Sequence, residues 1–122
     1  MLNALSRFLM LLGCGLLLAA CAATPVRHVG CYVADPELRG KYVGACQNGK
    51  AHGTGTSVGR DRYEGQFVRG IVHGKGTYYW HDGDRYTGDL RNGKAQGKGV
   101  FISKSGERKS GIWVNNVLQT PE

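Results

Sequence analysis

Few residues in this 122-residue chain could do chemistry, and most of those recur. Gly70-Ile71-Val72-His73-Gly74-Lys75-Gly76-Thr77 has the look of a phosphate loop, in which glycine amides wrap a phosphate and lysine neutralises it. The spacing fails, because three residues rather than four separate the glycines. Gly76 also stands where a Ser or Thr should follow lysine. The same phrase returns at Gly93 to Gly99, which marks it as part of a repeat. His52 and His73 hold equivalent places, and Gln96 takes the third. Neighbouring hairpins lie about 9–10 Å apart, an awkward separation for one metal. A hydrogen bond in the turn is the expected role, and no metal or cofactor is expected. His81 and Asp82 lie in turn sequence and are expected to be solvated. The acids are scattered, with Glu64 and Asp89 on separate strands, and no Ser/His/Asp or Cys/His grouping forms. The chain is therefore expected not to be an enzyme. Two sets of cations recur: Arg62, Arg85 and Arg108 before one strand of each unit, and Lys75 and Lys98 on the other. Such a row suits a polymeric or lipid anion.

These residues sit in a repeat of about 23 residues. Tyr42, Tyr63 and Tyr86 are each followed two residues later by glycine. Further glycines come in register: Gly49, Gly70 and Gly93, then the doublets at 53/55, 74/76 and 97/99, then Gly59, Gly83 and Gly106. Fifteen of the 20 glycines fall in these places, so glycine here is positional. Tyr63, Gly65 and Phe67 share one side of a strand, and Glu64, Gln66 and Val68 the other. Lys75 to Trp80 is rich in β-formers and supplies a second strand. Each unit then reads as a β-hairpin with its turn in Gly70 to Gly74, joined to the next by turns such as His81-Asp82-Gly83-Asp84. Mid-strand glycines leave room for aromatic rings to lie across the backbone. The expected fold is all-β: a single-layer, elongated antiparallel sheet of stacked hairpins, none stable alone. Tyr63, Tyr78, Trp80, Tyr86, Phe101 and Trp113 form its aromatic face. They are expected to be core first, with a groove for a peptide or saccharide as the alternative.

The pattern Tyr-x-Gly-x-Phe/Leu, then Gly, then His-Gly-x-Gly-Thr-Tyr, resembles the MORN repeat. Units 42–62, 63–85 and 86–108 carry it, and a fourth begins at Lys109-Ser110-Gly111-Ile112-Trp113 and runs out by 116. Unit 42–62 is two residues short before Arg60. The resemblance implies protein association and lipid contact.

The N-terminus reads as a targeting segment. Phe8 to Leu18 is apolar but too short for a stable membrane span, and only Arg7 precedes it as a charge. Leu18-Ala19-Ala20-Cys21 resembles the processing site of bacterial lipoproteins. That resemblance implies a signal peptide over 1–20 and palmitate-type acylation of Cys21. An ordinary cleaved signal is the alternative. Ala22 in place of Asp implies the outer membrane, periplasmic face, for a Gram-negative source. Residues 21–40 then form a lipidated tether and cap, 41–116 the array, and 117–122 a tail.

From residue 21 onward, fifteen basic and nine acidic residues give a net charge of +6. Anionic lipid, lipopolysaccharide or cell-wall polymer are the expected attractors, and simple solubility of a Gly-rich sheet the alternative. Nucleic acid is not expected for an exported protein. Cys31 and Cys46 are either bridged, closing a loop of about 15 residues, or free. Cys46 occupies the place held by Phe67, Leu90 and Trp113, so a bridge would draw residues 31–40 over the first hairpin. The expected function is a non-enzymatic binding or scaffold module on the cell envelope, with an unspecified protein partner. A direct binder of an envelope anion and an accessory domain of an envelope enzyme are the alternatives. Self-association through the open edge is allowed.

Overall fold

The computed structural model describes residues 28–122. The expected signal peptide, Cys21 and the expected tether up to 27 lie outside them. Among the described residues nine antiparallel strands follow one another in chain order across a single sheet. They are β1 His28–Val29, β2 Lys41–Gln47, β3 Lys50–Val58, β4 Arg62–Val68, β5 Ile71–Tyr79, β6 Arg85–Arg91, β7 Lys94–Ile102, β8 Arg108–Val114 and β9 Val117–Pro121. The expected single-layer array of hairpins is met.

The hairpin turns correct the expected position. They are two residues long: Asn48-Gly49, Arg69-Gly70, Asn92-Gly93 and Asn115-Asn116, every one at positive φ. Two successive left-handed residues give the turn whose twist matches the flanking strands, which is why Asn-Gly is favoured there. Gly74 lies inside β5 instead, at φ 88°. There β5 places three residues, 73–75, opposite the single Gln66. The same irregularity falls at Gly53 and Gly97. The Gln66 amide oxygen closes it by accepting the Lys75 N–H at 2.9 Å.

A row of glycines crosses the sheet: Gly44, Gly55, Gly65, Gly76, Gly88, Gly99 and Gly111 are paired strand to strand. Rings fill the space they leave. A Cβ on Gly55, Gly76 or Gly99 would meet the ring of Tyr42, Tyr63 or Tyr86 respectively. Those tyrosines reach over the row, and the Tyr63 and Tyr86 hydroxyls donate to carbonyls three residues on, at Gln66 (3.0 Å) and Asp89 (2.9 Å). The core therefore lies on one face only, in Tyr42, Tyr63, Phe67, Tyr78, Tyr86, Leu90 and Trp113.

The fourth hairpin is complete. Val117–Pro121 pairs with β8 from Val114↔Val117 to Gly111↔Pro121, so the array does not end at 116 and residues 117–121 are not a tail. Leu118 pairs with Trp113 as Val72 does with Phe67.

Residues 30–40 form a strap over the aromatic face. Cys31 and Cys46 are bonded, with Cα atoms 6.3 Å apart, inside the range a disulfide spans. Cys46 pairs with Ala51 in the register that Phe67 keeps with Val72, so the bridge replaces the missing ring. Past the bridge, Tyr32 donates to the Gly49 carbonyl (2.9 Å) and Ala34 to the Gly70 carbonyl (2.8 Å). Pro36–Leu38 then makes one 3-10 turn, capped by the Asp35 side chain. Leu38 and Val33 are buried on the sheet. The Leu38 carbonyl accepts the buried Ser57 hydroxyl at 2.7 Å. Arg39 ties the strap together through the carbonyls of Val33 (3.0 Å) and Ala34 (2.9 Å). The expected cap exists, but it lies across the sheet face as well as along the edge.

Candidate functional site

Among the described residues the strap covers the first two hairpins and no more. Past Asp35 the aromatic face is open and forms a groove of about 640 Å³, lined by Tyr78, Trp80, Tyr86, Leu90, Phe101, Trp113 and Leu118 with Asp35, Lys109 and Asn116 among its polar residues. The rings pack in sequence along it. Tyr78 to Trp80 is 4.8 Å, Trp80 to Phe101 6.0 Å and Phe101 to Trp113 6.4 Å between centroids. Trp113 is held by its indole N–H on the Gly99 carbonyl at 3.0 Å and stands edge-on to Tyr86. Tyr63 is fully buried and closed to any ligand. The aromatic set is thus core at one end and groove lining at the other. Burial pushes the Tyr86 hydroxyl up to about 12, with Asp89 adding to it, so the phenol stays neutral.

At the upstream end of the groove, the Tyr78 hydroxyl lies 3.1 Å from both the Asp35 and the Asp61 carboxylates. Asp61 also accepts the His81 backbone N–H at 2.8 Å and pairs with His81 Nδ1 at 3.0 Å. Burial alone would raise the Asp61 pKa, but the bonds from His81 and Tyr78 outweigh it and hold the carboxyl below its ordinary value of 3.8. Burial and the two facing carboxylates push the Tyr78 hydroxyl far up. His81 is exposed, as expected of this turn, and is in addition bound to a buried carboxylate. Asp84 repeats the role one unit on, accepting the Lys104 N–H at 2.8 Å. The acid just before Arg62 and Arg85 was the available signal. Each fixes the next inter-hairpin turn, and Asp61 does so because its oxygens point into that turn rather than outward.

The histidines do what the turn reading expects. His52 Nδ1 accepts the Arg69 N–H (3.2 Å) and His73 Nδ1 the Asn92 N–H (3.5 Å). Gln96 Oε1 accepts the Asn115 N–H at 3.1 Å. Gln96 therefore does not break a series; an acceptor at that height is the common requirement. Among the described residues no group of three or more His, Cys, Asp or Glu side chains is placed to hold a metal.

The cations divide. Cross-strand pairing puts Lys41, Val58, Arg62, Tyr79, Arg85, Ile102 and Arg108 in one row on the face opposite the groove. Cations thus alternate with apolar side chains, and Lys41 joins the three arginines. Arg62 lies 4.0 Å over the Tyr79 ring and bonds Glu64 at 2.7 Å. Lys75 and Lys98 are not in that row. Lys75 pairs with Asp89 at 2.9 Å and Lys98 with Glu122 at 3.5 Å, which cancels much of their pull on an outside anion.

The family model for the MORN repeat matches residues 42–62, 63–85 and 86–108, more than half of the chain. A search of curated proteins finds no match. The four stacked hairpins, the glycine row and the one-sided aromatic face agree with that match, and the chain belongs to the MORN-repeat family, whose domains are non-catalytic interaction modules.

Proposed function

We propose that the protein is a lipid-anchored adaptor of the bacterial cell envelope, tethered through Cys21 and binding a partner protein in the open half of its groove. The carrying observation is that the strap fills the aromatic face over two hairpins and leaves it uncovered over the next two. A continuous apolar groove on a small protein is the ordinary mark of a partner site. Leu18-Ala19-Ala20-Cys21 supports the anchor, and for a Gram-negative source Ala22 favours the periplasmic face of the outer membrane. Two or three acyl chains at roughly 0.8 kcal/mol per methylene would make that anchorage nearly permanent.

The test is site-specific photocrosslinking in envelopes, with benzoylphenylalanine in place of Phe101 or of Ile102 on the other face. A discrete adduct from position 101 alone supports the reading, and equal labelling from both positions refutes it. For the anchor, Cys21→Ala should abolish palmitate labelling and release the protein from membranes. Continued labelling would disprove lipidation there.

The row on the opposite face favours a second reading, binding of an anionic lipid or envelope polymer. Arg85, Arg108 and Lys41 have no carboxylate within ion-pair distance among the described residues. On this reading a protein lacking Cys21 sediments with anionic vesicles at low salt, and Arg85→Gln with Arg108→Gln abolishes it. Self-association has the β9 edge, where Val117 is exposed, as its route and Pro121 as its obstacle, and light scattering measures it.

A further inference from the structure

The strap is a peptide already seated on this surface, and its hydrogen bonds have a period. Tyr32 donates to the carbonyl of Gly49, the second turn residue of the first hairpin. Two residues later Ala34 donates to Gly70, the same position in the second. Val33, between them, is buried on the sheet. The chain thus advances one hairpin for every two extended residues. The hairpin tips are close enough for this because each bonds to the previous one: Gly70 N–H to the Ala51 carbonyl (2.7 Å), Gly93 to Val72 (2.9 Å) and Asn116 to Ala95 (3.1 Å).

The next donor on this period would be residue 36, and the next acceptor the Gly93 carbonyl. Residue 36 is proline, which has no N–H. There the chain leaves the track, turns through Pro36–Leu38 and returns to β2. No described residue donates to the carbonyls of Gly93 or Asn116, and both residues line the open groove.

We infer that the open groove takes an extended peptide segment of a partner protein, continuing the strap's track and direction. One residue donates its backbone N–H to the Gly93 carbonyl, and the residue two further on donates to Asn116. The residue between them is apolar, as Val33 is, and packs toward Tyr86 and Trp113. The peptide's leading end lies beside the Asp35 carboxylate, so a cation there is favoured. This inference rests on the groove being the partner site and adds the conformation and chemistry of what binds.

The experiment uses the full chain. Displayed random heptapeptides are selected against it, and the enriched peptides are synthesised. Their affinities are read by tryptophan fluorescence against wild-type protein, Phe101→Ala and Arg85→Gln, with urea midpoints to verify folding. Each peptide is then N-methylated at one backbone amide at a time. The expected result is an apolar residue flanked by two sensitive amides, two residues apart. Methylation at each should lower affinity by roughly five- to tenfold, and methylation elsewhere should change little. Phe101→Ala weakens binding and Arg85→Gln does not. Peptides that need Phe101 but tolerate every single methylation, or that bind as helices, overturn the track while leaving the groove as partner site. Failure to enrich any peptide sensitive to Phe101→Ala overturns both.

Discussion

Gly76→Ala separates two reasons a β-repeat can need glycine. Gly76 is not among the residues at positive φ, so its backbone is open to any L-residue. What forbids a side chain is the Tyr63 ring, which an added Cβ would strike at the hydroxyl and two ring carbons. Tyr63 is fully buried and bonded to the Gln66 carbonyl, so it has nowhere to withdraw. Forcing a methyl into such a site costs roughly 1–3 kcal/mol. Replacing a strand glycine by alanine returns about 0.5–1 kcal/mol of backbone entropy. The net expectation is a loss of roughly 1–2 kcal/mol, which for a urea m-value of about 1–1.5 kcal/mol/M lowers the unfolding midpoint by roughly 1 M. The partner variant is Tyr63→Leu, which removes the ring tip. In that background Gly76→Ala should cost less than about 0.5 kcal/mol, a coupling of the size seen for touching residues. Gly74→Ala is the control. Gly74 sits at φ 88°, so its cost persists whether or not the ring is present. Equal costs for Gly76→Ala in both backgrounds would refute the argument that ring space sets the glycine row.

Three further outcomes are expected. Replacing Cys31 and Cys46 together by serine should lower stability by about 3 kcal/mol, the entropy of a 15-residue loop, read from urea midpoints without reductant; an unchanged midpoint would show that the bridge is absent or idle. His73→Gln should be nearly neutral, because Gln96 already does that work one hairpin on, whereas His73→Ala should cost roughly 0.5–1.5 kcal/mol; the reverse order would exclude a turn-acceptor role. The Asp61 carboxyl has a folded pKa below its ordinary 3.8, so the folded state binds that proton less readily than the unfolded chain. Its contribution is therefore complete above 3.8 and drains as pH falls through the folded value. Thermal scans from pH 6 downward should show a loss that Asp61→Asn lacks, and parallel curves would remove Asp61 from the acid response.

The hairpin repeat, the two faces and the place of Cys46 were legible because a strand has period two and the repeat shows its phase three times over. The turns were misplaced although Asn48-Gly49 and Asn92-Gly93 announce them. Gly74 drew attention to itself, and a glycine that opens an irregularity within a strand looks in sequence like one that makes a turn. Residues 117–121 were missed because Val-Leu-Gln-Thr-Pro has no glycine and pairs only by following Asn115-Asn116. The strap was visible at one point, the cysteine pair. Its course was not, because contacts such as Tyr32 to Gly49 and Asp35 to Tyr78 obey no local period. The same limit hid Asp61, whose partners lie 17 to 20 residues away.

A single-layer sheet with a core on one face has no second layer to close it, so something else must cover that face. This chain covers the upstream half with its own N-terminal segment, and the sequence prepares the seat. Cys46 replaces the ring that the first hairpin would carry, the turn carbonyls of Gly49 and Gly70 accept the strap's amides, and the Ser57 hydroxyl donates to the Leu38 carbonyl. Among the described residues nothing equivalent is spent on the downstream half. There the hairpins keep their bulky residues at the Cys46 position, Leu90 and Trp113, the rings pack on one another, and the carbonyls of Gly93 and Asn116 find no donor among the described residues. The edges differ in the same sense. β2 is covered by β1 and latched by the disulfide, whereas β9 ends the sheet as a short strand closed by Pro121, a residue that discourages further pairing. The array therefore has a direction: closed at its N-terminal end, guarded at its far edge, and open on the face between. A partner that meets it finds one apolar surface already bordered by a seated peptide, which is why the groove, rather than the edges or the neutralised lysines, is where binding should concentrate.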